Sequence, residues 1–67
     1  MTKEIAIHLK SQALAAVEKL TEALQYAKGC LAQEEYDKFK TGIGLSIGAI
    51  EMHVNVRLYQ QFPELED

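Results

Sequence analysis

Residues 41–50 read TGIGLSIGAI, ten consecutive positions without a charge in a chain that elsewhere carries one every few residues. The stretch holds Gly42, Gly44 and Gly48, three of the four glycines, set among Ile43, Leu45, Ile47 and Ile50. It has four competing readings: phosphate loop, membrane segment, strand or helix surface. A phosphate loop needs GxxxxGK followed by Ser or Thr, and a dinucleotide fingerprint needs GxGxxG, each after a strand. Here Gly42-x-Gly44-x-x-x-Gly48 has no lysine to follow and no strand before it. A membrane span needs about 20 apolar residues, and Lys38, Lys40 and Glu51 bound this run well short of that. The alternation of Ile43, Leu45 and Ile47 suits a strand. Apolar residues at steps of three and four, however, continue back to Tyr36 and on to Leu58, which is helical spacing. The stretch reads as the middle of a helix.

That helix is expected from about residue 33 to residue 62, where Pro63 stops it. Its apolar residues form two stripes. Tyr36, Phe39, Ile43, Ile47, Ile50, Val54 and Leu58 follow one face, and Leu45, Ala49, Met52, Val56 and Tyr59 follow another. At about 100° per residue the two point in nearly opposite directions. A helix apolar on two faces expects a partner on each.

Residues 3–28 predict a first helix, with no Gly or Pro and many Ala, Leu, Lys, Glu and Gln. Thr2 is placed to cap it. Ala6, Leu9, Ala13, Val17, Leu20, Leu24 and Ala27 make its apolar face, with Ile7 and Leu14 on a separate patch. Gly29 offers the backbone freedom of a helix end, and the turn falls at about 29–32. Ala32 occupies the second N-cap without a capping side chain, while Glu34 and Glu35 favour the positive end of that helix's dipole. Lys38 stands four residues after Glu34, at ion-pair spacing. Leu31 and Tyr36 occupy the positions of a hydrophobic staple. So short a turn makes the helices antiparallel neighbours. The expectation is one all-α domain, a two-helix hairpin, followed by an acidic tail at 63–67 with nothing to order it.

One stripe of the second helix packs on the first, and the other requires another chain. A chain of 67 residues buries only about 60% of its unfolded surface, and no disulfide or zinc staple is available with a single cysteine, Cys30. Two hairpins forming a four-helix bundle would cover both stripes. Leu45, Ala49, Met52, Val56, Tyr59, Ile7 and Leu14 are the expected dimer or partner interface. Gly44 and Gly48 have small-xxx-small spacing. If residues across the hairpin sum to about 61, Ala13 lies level with Gly48, and Ala16 or Val17 with Gly44. The small residues Ala13, Ala16, Gly44 and Gly48 predict a close helix crossing, within the hairpin or between copies.

No catalytic, cofactor or metal site is expected. His8 and His53 also sum to 61, but neither helix carries HxxxH or a carboxylate at ligand spacing. Cys30 has no base near it; it reads as a small apolar residue at the bundle end. The polar residues Ser46, Glu51, Asn55 and Arg57 line the seams between the stripes, where Glu51 and Arg57 could pair between subunits. A net charge of −3 with seven scattered basic residues argues against a general nucleic-acid binder. The lone thiol and the charged N-terminus MTKEIAIHLK favour a cytoplasmic setting.

In length and layout the chain is similar to small bacterial helical-hairpin proteins, among them plasmid RNA-binding dimers and small secretion chaperones. No motif matches residue by residue, so no site transfers. The expected function is a non-enzymatic protein–protein interaction module, homodimeric, with a second protein as partner. The alternative is an RNA-binding hairpin dimer, which would need Lys10, Lys19, Lys28 or Arg57 to gather on one face.

Overall fold

A computed structural model describes residues 1–66 and shows an all-α hairpin, 45 Å long and 18 by 16 Å across. Helix α1 spans Lys3–Lys28. The second helical rod consists of α2 (Gln33–Ile50), a π turn at Glu51–Asn55 and α3 (Val56–Gln61), and a 3-10 turn follows at Pro63–Leu65.

Capping explains where α1 begins. The Thr2 hydroxyl accepts the Ile5 N–H at 3.2 Å, which satisfies a donor that the first helical turn leaves unpaired. At the other end, Cys30 and Leu31 both donate to the Ala27 carbonyl, at 3.0 and 3.1 Å. Gly29 has φ −88° and ψ −5°, an ordinary right-handed geometry. Backbone freedom is therefore not what this turn draws from its glycine. Ala32 provides the second cap position with no side-chain hydrogen bond. Nearby, the Gln33 amide donates to Asp37 at 2.7 Å.

The seam between the rods runs through Ala6, Ala13, Val17, Leu20, Leu24 and Ala27 on α1. On the second rod it runs through Tyr36, Ile43, Ile47, Ile50, Val54 and Leu58, all buried or half-buried. Ala6 and Leu58 are the most deeply covered apolar residues. Phe39 departs from the expected stripe and is 54% exposed. Three residues at about 100° each set it some 60° round the helix from Tyr36, on the flank of the seam. Leu9 is on the corresponding flank of α1 and is also exposed.

The π turn changes the phase of the second rod. The Val56 N–H donates to the Glu51 carbonyl, five residues back instead of four. Such a turn holds one extra residue, so every later side chain is set back by about 100°. A straight α-helix would carry Leu58 and Phe62 progressively away from α1. With the π turn Leu58 is buried and Phe62 half-buried, and Asn55 is brought inside as well.

The acidic tail corrects the sequence expectation. Pro63–Leu65 folds back along the start of α1, where Lys3 pairs with Glu64 at 3.3 Å and the Lys10 ammonium donates to the Leu65 carbonyl. The half-buried Phe62 and Leu65 provide the apolar part of this attachment. Asp67 lies outside the described residues.

Candidate functional site

The surface that stands out is the side of α2 turned away from α1. Leu45 is 72% exposed and Met52 65%, with Gly48 and Ala49 exposed between them. This is the second apolar stripe, and none of its residues on α2 is covered by the chain. Beyond the π turn the stripe bends. Val56 is partly covered, and Tyr59 is half-buried with Lys10 lying 5.3 Å from its ring centroid. The same one-residue phase shift that draws Leu58 inward turns Tyr59 toward α1. Tyr59 is thereby engaged in a cation–π contact with its own chain.

The four small residues expected at a close crossing do not meet inside the hairpin. Ala13 is buried, whereas Ala16, Gly44 and Gly48 are exposed. A Cβ at Gly42, Gly44 or Gly48 would meet nothing within 4 Å. Residue sums fix level along a hairpin but not direction around each helix. The inward direction belongs to Ile43, Ile47 and Ile50, and the glycines point elsewhere.

Ile7 and Leu14, placed together by sequence, do come together. With Ala15 and Leu65 they line a shallow groove of about 570 Å³, edged by Lys10, Ser11, Glu18 and Glu64. No residue of the α2 stripe lines it. The expected interface thus divides into an outer face on α2 and a groove on α1. The tail forms one wall of that groove, which sequence reasoning missed because it left the tail unordered.

Asn55 is the other missed residue. It is 3% exposed, its Nδ2 donates to Glu51 Oε2 at 2.9 Å, and its Oδ1 has no partner among the described residues. Sequence placed Asn55 on a seam but gave no sign of burial, because the π turn rotates it inward. Glu51 is accordingly occupied by Asn55. Ser46 turns back to the Gly42 carbonyl at 2.9 Å.

The remaining candidates stay dispersed. His8 and His53 are both exposed, and no group of three or more His, Cys, Asp or Glu side chains positioned for a metal occurs among the described residues. Cys30 is exposed at the turn, not packed at the bundle end. Glu34, Asp37, Lys38 and Thr41 line a second, more open concavity, and no ion pair joins Glu34 to Lys38. No helix of the described residues is long and apolar enough to cross a membrane.

Compared with known proteins, the chain matches no family model, no curated protein and no solved structure.

Proposed function

We propose that the protein is a small non-enzymatic interaction module that works as a homodimeric helical bundle and presents a helical face to a second protein. The observation that carries this reading is the exposed apolar face of the second rod, at Leu45 and Ala49 on α2 and Met52 in the π turn. Single exposed apolar residues are ordinary on a surface, but a run of them along one helix face marks a contact site. Mid-helix glycines support the same reading. Each weakens a helix by nearly ~1 kcal/mol relative to alanine, and nothing within the chain packs on Gly44 or Gly48.

The RNA-binding alternative draws less support from the arrangement of the lysines. Lys10 is drawn to Tyr59 and the Leu65 carbonyl, and Lys19 faces Glu22 at 3.6 Å. Retention on the immobilised chain distinguishes the two readings. Protein retained from a cell extract by the wild type and lost with Leu45→Asp supports the interaction module. Retention of RNA that weakens steeply with salt, and is unaffected by Leu45→Asp, supports the alternative.

A further inference from the structure

We infer that Pro63–Leu65 is a strap, clasped by Lys10, that opens and closes on α1 while the hairpin stays folded. It does so whether or not the chain self-associates. The strap begins at a hinge. Phe62 leaves helical geometry at φ −134° and ψ 77°, in keeping with the restriction on a residue that precedes proline. Pro63 has no N–H with which to continue the helix. Beyond the hinge, the Leu65 N–H donates to the Phe62 carbonyl at 3.0 Å and the Glu66 N–H to the Pro63 carbonyl at 3.1 Å. Both bonds are internal to the segment. Among the described residues no backbone hydrogen bond ties it to α1, so it can lift without breaking the helical ladders.

Side chains alone therefore hold the strap down, and they are unequal. Lys3 and Glu64 pair at 3.3 Å, but their side chains are 52% and 51% exposed, and an exposed pair contributes little. Lys10 is half-buried. Its ammonium donates to the Leu65 carbonyl and lies 5.3 Å from the Tyr59 ring centroid. A hydrogen bond from a charged donor is stronger than a neutral one, and partial burial protects it from salt screening. Because the π turn sets the direction of Tyr59, this clasp joins the strap to the second rod as well as to α1. Half-buried Phe62 and Leu65 add the apolar part. A segment with so few attachments belongs to the low end of the local stability range, where opening does not require global unfolding.

Opening remakes the groove at Ile7 and Leu14, whose wall is formed by Glu64 and Leu65. Closed, the groove is edged by two carboxylates, Glu18 and Glu64, and by an ammonium already bonded to the Leu65 carbonyl. With the strap lifted, Glu64 leaves with the wall, and Glu18 and a released Lys10 remain beside the apolar pair. The strap thus sets both the depth and the charge of this face.

The test is native-state amide hydrogen exchange, followed by NMR, on the wild type, Lys10→Met and Lys3→Met. Methionine retains a long apolar stem and removes the ammonium. In the wild type the Leu65 and Glu66 amides are expected to exchange at least about a hundredfold faster than the seam amides of Leu20 and Ile47. Lys10→Met should accelerate Leu65 and Glu66 by a further factor of about ten, with Leu20 and Ile47 unchanged. Lys3→Met should accelerate them by about twofold or less. Wild-type exchange at Leu65 as slow as at Leu20 overturns local opening. An unchanged Leu65 rate in Lys10→Met, or a larger effect from Lys3→Met, overturns the clasp. Equal acceleration of Leu20, Ile47 and Leu65 in Lys10→Met overturns the proposal as well, since Lys10 would then support the whole hairpin and not the strap.

Discussion

Across the π turn, the Asn55 amide donates to the Glu51 carboxylate at 2.9 Å while its own oxygen, buried against the hairpin seam, goes unpartnered. The residue is therefore half satisfied, and its two halves predict opposite effects. Asn55→Leu removes a buried acceptor without a donor and keeps the branching of the side chain, at the cost of two bulkier methyl ends. Urea unfolding should show stability unchanged or raised by about 1 kcal/mol. Glu51→Ala leaves the amide N–H without its acceptor and should cost about 1 kcal/mol. A large loss from Asn55→Leu would show that the oxygen has a donor in solution.

Gly42 provides a separate test of the glycine argument. It is in the interior of α2, exposed, with open space around it and no part in the seam. Gly42→Ala should therefore raise stability by nearly ~1 kcal/mol through helix propensity alone. Thermal unfolding at fixed concentration measures this. Destabilisation would mean that something covers Gly42.

The uncapped start of α2 yields a third expectation. Ala32 has extended backbone geometry, the conformation an N-cap adopts, but lacks the side-chain oxygen. Ala32→Ser should stabilise the hairpin by roughly 1 kcal/mol, read from the urea midpoint. No gain would indicate that the first-turn N–H groups are satisfied in another way.

Glu64 links the tail to pH. Its pKa is lowered from the ordinary glutamate value, first by a hydrogen bond from its own backbone N–H and then by Lys3, against an opposing effect of burial. A folded-state pKa below the unfolded one stabilises the attached tail above the unfolded value. That contribution is lost as pH falls through the folded value. An NMR titration of the Glu64 carboxyl should show the depressed pKa, and Lys3→Ala should remove only part of the depression. Complete restoration by Lys3→Ala would make the ion pair, not the backbone, the main cause.

The hairpin is legible in the sequence because its signals are local and redundant. Thr2, the Gly-free and Pro-free run to Lys28, and Pro63 each mark a boundary by backbone chemistry. The seam is legible because apolar periodicity specifies which side of a helix is dry. Three features were hidden for reasons equally physical. The π turn breaks the constant angle per residue on which a helical wheel depends, so the burial of Asn55 and the turning of Tyr59 could not be read from spacing. The tail attachment joins Glu64 and Leu65 to Lys3 and Lys10, contacts between the two ends of the chain that carry no periodic signal. The direction of Gly44 and Gly48 depends on the rotation of each helix about its axis, which level along the hairpin does not fix.

The claim on which the proposed function depends is that the chain works as a homodimer that needs the exposed apolar face at Leu45. Sedimentation equilibrium at micromolar concentrations, on the wild type beside Leu45→Asp, addresses it most directly. The wild type should sediment at twice the 7.5 kDa chain mass, and Leu45→Asp should shift toward the single-chain mass. A folded wild type at the single-chain mass across the whole range would contradict the account, as would a Leu45→Asp variant that dimerises as tightly as the parent.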